Sequence, residues 1–494
     1  MDARNTNTRP TRREMLKVGG LGILTSTLGL DVLAVTPVRA EASNRGELPE
    51  IQFDIGGYVG PVRTFEGIQF QFPPVHTLFL TARLTGHPGR DDQYALERAL
   101  RTVEEVYRFG PSGVFTFVAY GLPYFARLPQ RLVAQHMPRL LSDRGRFALE
   151  EAQVSPTDVS RSNPDLKKRA YNMPVRIERN DLLFTLRSDV ANHLTDVAAW
   201  LAGSGRLRGR RRASPPTART LQFTSSRLMF AQNGLPRKLA EQHRLSFAGQ
   251  IHPQSPMWMG FADQHVNGAG PAPICTFQGN DSARFTTARE GDYFADGSIQ
   301  HLSHVILDLV DFYRLANPTS PDPSAQKGEP FTERCQYMFR SNPIPSAGNR
   351  DQFTDGGGPA FLPNEFKGPD DATSNARAIG TFEGARRIGH LSALQRSSRA
   401  GDGTPVHMRM DGPGLDAMDV PDGSLQPKLQ FTIFVPTADV FATMRRNVAA
   451  LDLVEKYKVD PEDNGLERFL TATRRQNFLI PPREHRAFPL LEAA

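Results

Sequence analysis

The residues able to do chemistry are spread along the C-terminal half of the chain. Asp263 sits in Gly260-Phe261-Ala262-Asp263-Gln264, directly after the apolar Met257-Trp258-Met259. A carboxylate in such a place ordinarily ends a turn or caps a helix; its chemical use would be to move a proton. His390, in Gly389-His390-Leu391, offers a ring nitrogen suited to a metal, although a single histidine more often serves as a core or surface residue. Arg409, between Met408 and Met410, stays charged at any relevant pH and can hold an anion. His301 and His304 are three residues apart in what reads as a strand, which puts them on opposite faces and argues against a shared metal. The chain has no Walker loop, no dinucleotide-binding glycine pattern after a strand, no His-Glu-x-x-His and no nucleophile elbow.

Strand and helix periods indicate what must position these side chains. Leu78, Leu80, Ala82 and Leu84 alternate as one face of a strand. Asp91 and Asp92 then open a helix with Leu96, Leu100, Val103 and Tyr107 on one side, ending at Gly110-Pro111. Val114–Val118 follows as a strand, and the pattern returns with a strand at Leu182–Leu186 and a helix through Leu194, Val197, Ala198 and Leu201. Nearer the C-terminus, Leu429–Val435 reads as a strand stopped by Pro436. Phe441, Met444 and Val448 mark a helix, and Asn477–Ile480 a last short strand. Such units predict α+β layers, antiparallel sheet on one side and helices outside. The arginine-rich residues 203–218 and the Gly/Pro-rich residues 341–380 read as loops.

The order and spacing of the candidates resemble the dye-decolourising peroxidases, a haem-dependent family. Asp263 occupies the family's Gly-x-x-Asp position, with Gln264 where a second glycine is usual. Gly297-Ser298-Ile299-Gln300 and the strand through Leu309 and Phe312 are similar to the family's Gly-Ser-Tyr strand. Gly389-His390 through Gln395-Arg396 resembles the segment bearing the axial histidine, and Arg409 follows nineteen residues later, with Met410 in place of a second arginine. The likeness is moderate over about 250–494 and rests on element order over 50–245.

That resemblance implies a fold of two ferredoxin-like domains of the dimeric α+β barrel type. It implies haem b held without a covalent link, with His390 on the iron and Asp463 as the carboxylate behind it. Asp263 and Arg409 become the catalytic pair on the other face. His304, His301 or no ligand at all remain alternatives for the iron position. The implied activity is oxidation of phenolic or dye-like molecules by hydrogen peroxide. A haem carrier or deferrochelatase-like protein, and a haem-less binding or scaffold protein, are the alternatives on the same fold.

The N-terminus reads as an address. Arg12-Arg13 with Met15-Leu16-Lys17 resembles a twin-arginine export signal, and 13 uncharged residues separate Lys17 from Asp31. That stretch is too short to span a bilayer. Residues 1–40 are therefore expected to be a signal peptide recognised by the twin-arginine machinery, giving a periplasmic or extracellular protein with no stable membrane anchor. Residues 41–245 and 246–494 are then the N-terminal domain and the C-terminal, haem-binding domain. Six of the 59 basic and three of the 53 acidic residues lie in 1–40, so without them the net charge falls from +6 to +3. The arginine run lacks neighbouring stacking aromatics, so no nucleic-acid partner is expected; a homo-oligomer is compatible with the sequence. Two cysteines, Cys275 and Cys335, exclude a disulfide scaffold or a four-cysteine metal centre within the chain, though an oxidising compartment would let them pair.

Overall fold

The computed structural model describes residues 48–60, 63–65, 68–70, 73–158, 171, 173–251, 253, 255–259, 270, 272–281, 283–313, 379–382, 385–388, 390, 405–449, 451, 458 and 465–493. The first unit runs β1 (His76–Leu84), α1 (Arg90–Tyr107), β2 (Phe115–Gly121), β3 (Leu182–Ser188), α2 (Ala191–Leu201) and β4 (Leu221–Phe230). The second runs β5 (Ser298–Leu307), β6 (Met408–Arg409), β7 (Gly412–Asp416), β8 (Gln426–Val435), α3 (Ala438–Ala449) and β9 (Leu470–Ile480).

All these strands join one sheet in the order β6-β8-β5-β9-β2-β3-β1-β4, with β7 continuing beside β8. Each unit thus has its strands in the same spatial order, second-third-first-fourth, and every pairing between these strands is antiparallel. That is the ferredoxin-like strand order, present twice; the first unit shows the full βαββαβ arrangement, and in the second the described residues show its four strand positions and the second helix, α3. The units meet where β9 pairs with β2, Phe478 opposite Gly121 and Leu479 opposite Tyr120. The far edges also approach each other: a Cβ on Gly414 of β7 would lie 2.9 Å from the carbonyl oxygen of Leu228 in β4. The fold is α+β, its two antiparallel units curved into a barrel with helices outside.

Strand alternation divides the core into layers. In β1, Leu78, Leu80, Ala82 and Leu84 face α1 and α2, whose buried sides carry Leu96, Leu100, Val103, Leu194, Val197 and Leu201. The intervening Phe79 joins Phe115, Phe117, Leu183, Met229, Leu302, Phe434 and Phe478 inside the barrel. Both faces are covered, so these strands do not show a simple apolar–polar alternation. Polar interior groups are matched across the barrel, as where Gln300 Nε2 donates to Thr185 Oγ1 at 3.0 Å.

Farther along the interior lies a chain of charges. Arg474 holds Asp419 at 2.6 and 2.7 Å and Glu178 at 3.2 Å. Glu178 in turn binds Arg227, while Lys428 lies 3.6 Å from Asp416. Burial pushes the Asp419 carboxyl up, but hydrogen bonds from Arg474 and His304 outweigh it and hold the group far below the usual carboxylate range.

Three local expectations differ from the structure. The strand carrying His301 stops at Leu307, because Asp308 caps a helical turn over Leu309–Phe312, its Oδ1 accepting from Asp311 N at 3.0 Å. The last strand is longer than expected, reaching back to Leu470. Within 203–218, Arg206–Leu207 pairs with Arg210–Arg211, turned by Arg208 and Gly209 at φ 50° and 73°. The export segment and Cys335 lie outside the described residues; Cys275 is buried and free. Among the described residues, no helix is long and apolar enough to cross a membrane.

Candidate functional site

A cavity of about 140 Å³ opens between the outer face of the second unit's sheet and α3. The sheet side is built from β5 (Ser303, Val305, Leu307), β8 (Leu429, Phe431) and β9 (Leu470, Ala472). A β-bulge makes this wall continuous: the β5–β9 register shifts between His304 and Val305, so Ser303 faces Arg475 while Val305 faces Ala472. The extra residue, Thr473, meets His304 Nδ1 at 3.0 Å. From α3 come Phe441, Met444 and Val448, the side that helical spacing predicts. Trp258 closes one flank, its Nε1 donating to Gly414 O at 3.0 Å and its carbonyl accepting from Tyr313 Oη at 2.7 Å.

His390 and Arg409 both line this cavity, and both are half-buried. Arg409 is placed by β6, where it sits opposite Ile433 of β8 on the sheet's outer face. His390 is packed against Gly465, whose φ of +51° suits glycine and where a Cβ would lie 3.5 Å from the His390 Cα. Asp263 and Asp463 lie outside the described residues.

The other histidines considered for the iron are committed elsewhere. His301 Nδ1 lies 2.6 Å from Asn477 Oδ1, and its Nε2 lies 2.6 Å from Ser303 Oγ. His304 faces the barrel interior, between Thr473 and the Asp416 carboxylate 3.4 Å from its Nε2. The two imidazoles do point to opposite faces of β5. Among the described residues, no group of three or more His, Cys, Asp or Glu side chains is arranged to hold a metal ion.

Two ion pairs form the polar rim of the cavity. Arg475 grips Asp158 with both guanidinium nitrogens, the Nη2–Oδ1 bond being 2.7 Å, and Asp158 also accepts from Ser155 N at 2.7 Å. Burial pulls the Arg475 pKa down, and the charge of Asp158 opposes that pull. Arg445 binds Glu467 at 2.9 and 2.5 Å and Thr157 Oγ1 at 2.6 Å. Burial works against the Arg445 charge, but Glu467 outweighs it and raises the pKa.

Sequence reading missed both pairs and Ser303. For Arg475 the available signal was its place beside Arg474 in β9, because charges in a strand covered on both sides must find partners; Arg445 stands on α3, where a charge carries no such signal. Asp158, more than 300 positions from Arg475, had no local mark.

Among the described lining residues, His390 supplies an imidazole that could hold a haem iron and Arg409 a guanidinium beside it. Arg475 and Arg445 are paired with Asp158 and Glu467, Asp411 adds a further carboxylate, and the rest of the wall is mainly apolar and without a thiolate. The space between these described walls, about 140 Å³, is near the volume that takes one aromatic ring.

A family model described as "Family of unknown function (DUF7405)" matches residues 74–160 and 364–482. No curated protein matches the chain. Among solved structures, the encapsulated DyP-type peroxidase from Mycobacterium smegmatis is similar at 14% identity and TM-score 0.47, over 85% of this chain and 95% of that one. DtpA from Streptomyces lividans is similar at 14% identity and TM-score 0.46, over 83% and 90%. A variant of Rhodococcus jostii DypB in complex with heme is similar at 13% identity and TM-score 0.44, over 85% and 96%.

Proposed function

We propose that the protein is an exported haem peroxidase that uses hydrogen peroxide to oxidise phenolic or dye-like aromatic substrates. The observation that carries this reading is the placement of His390 and Arg409 on the walls of one apolar cavity. When bound, haem supplies the redox chemistry, the two-electron reduction of peroxide at the expense of an organic donor. His390 would hold the iron through one ring nitrogen, and Asp463 would accept a hydrogen bond from the N–H of the other and keep the ring oriented. Arg409 would bind peroxide and balance negative charge as it develops on oxygen. Asp263 would take a proton from one peroxide oxygen and return it to the other. These duties need different residues, since one must exchange a proton and the other must not. With no Cys-x-x-Cys-His in the chain, attachment would be non-covalent. Export in the folded state through the signal in residues 1–40 would deliver the loaded protein to the periplasm or beyond.

The size of the cavity favours a second reading, a binding protein on the same fold that carries no haem. One experiment decides between them. Haem added to the mature protein should give a Soret band that His390→Ala removes. Arg409→Ala should keep the band and lower peroxide turnover by about 10²–10³-fold. A wild-type protein without a Soret band sinks the peroxidase reading, and a band that survives His390→Ala moves the ligand elsewhere.

A further inference from the structure

Ser303 is the hydroxyl in the wall contributed by β5, and its proton is already committed. Asn477 Nδ2 donates to the carbonyl oxygen of Glu150 at 3.0 Å, which turns Asn477 Oδ1 toward His301. An amide oxygen only accepts, so His301 Nδ1, 2.6 Å away, must carry the hydrogen. Burial drives the His301 pKa down to about 3, so the imidazole is neutral near pH 7 and Nε2 is a bare lone pair. The hydrogen between His301 Nε2 and Ser303 Oγ, 2.6 Å apart, therefore belongs to the serine. Phe441 stacks on the imidazole at 3.5 Å between ring centroids and 19° between planes, fixing its orientation.

We propose that Ser303 is a fixed hydrogen-bond acceptor in the cavity wall, selecting single-ring ligands that present a hydroxyl donor, with phenol as the simplest case. A serine ordinarily donates or accepts as required. Here the relay from Asn477 through His301 takes that choice away, leaving oxygen lone pairs toward the cavity. A phenolic hydroxyl completes the chain, whereas an ether oxygen would set lone pair against lone pair. The surrounding Leu429, Phe431, Phe441, Met444 and Val448 supply an apolar seat. An apolar cavity near 150 Å³ is known to take benzene; this one measures about 140 Å³ and is mainly apolar inside its charged rim. Because His301 resists protonation, the serine receives a hydrogen bond without removing the ligand's proton.

The inference concerns the cavity of the proposed function in the protein without haem, since a single ring and a haem would compete for the same space. Its test is calorimetric titration of the full chain, without added haem, using phenol and its methyl ether anisole. Wild type should bind phenol about tenfold more tightly than anisole. Ser303→Ala should bring phenol to the anisole level and leave anisole within about twofold of wild type, since only the ligand's donor loses its partner. The melting temperature of the variant shows that it is folded. Absent phenol binding, equal wild-type affinities, or an undiminished preference in Ser303→Ala overturns the proposal. The wild-type comparison stands even if the variant fails to fold. A protein that prefers phenol but takes up no haem keeps this inference and loses the peroxidase; a Soret band without the preference does the reverse.

Discussion

At the scale of single residues, the rim of the cavity is held by charges removed from water. Asp158 and Arg475 are almost wholly buried, so each depends on the other for what solvent would have provided. Asp158→Asn should lower the unfolding free energy by about 3–5 kcal/mol, because it strands a guanidinium in the interior. Combining it with Arg475→Met should recover most of that loss, as both charges then go. Urea midpoints of the two single variants and the double variant check this; equal losses in all three would show that volume, not charge, is responsible. Such pairs explain why only part of the site was legible from sequence. Arg409 and His390 stood out because few residue types bind anions or metals, and their spacing matched a family pattern. Ser303, His301 and Asn477 form a connected unit only because β9 lies beside β5, which brings together residues 176 positions apart.

At the scale of elements, periodicity carried the reading well wherever a helix or strand buries one clear side. The helices through Leu96–Tyr107 and Leu194–Leu201 and the strands at Leu78 and Leu429 stand where the spacing placed them. What periodicity could not supply was the ends and the closure. Asp308 stops β5 by capping, a local hydrogen bond that overrides the apolar run beyond it. The early part of β9 was hidden because Thr471, Thr473, Arg474 and Arg475 do not alternate with apolar residues across the bulge. The seam between units also depends on a feature with no period. A Cβ on Gly121 would lie 2.3 Å from Asn180 O and 2.5 Å from Gln476 Nε2, so only glycine lets β2 reach β9 there. Gly121→Ala should cost about 1–3 kcal/mol through backbone displacement. The expected signature is a lower denaturant midpoint with an unchanged slope, and an unaltered midpoint would show that the seam can yield.

At the scale of the whole molecule, buried titratable groups make stability depend on acidity in one direction. Burial holds His76 near a pKa of about 4 and His301 near about 3, against 6.5 in the unfolded chain. Below pH 6.5 the unfolded chain binds protons that the folded one refuses, so stability falls as pH drops toward 4. Each histidine contributes a slope approaching 1.4 kcal/mol per pH unit. Asp416, Asp419 and Glu178 have lowered pKa values, so their stabilisation is complete above the ordinary carboxylate range and is lost on further acidification. Urea unfolding across pH 4–7 should show this slope, reduced in His301→Gln; a flat profile would mean that the histidines accept protons in place. The position of β9 has a consequence of another kind, in time rather than energy. Of the described strands, β9 is the latest in chain order, yet it lies between β5 and β2, in the middle of the sheet. Until it is made, β2 and β5 each present an unpaired edge, the kind of surface on which nascent chains aggregate. The barrel therefore closes only once residues 470–480 are delivered, and a chain truncated before Leu470 loses the strand that joins its two units.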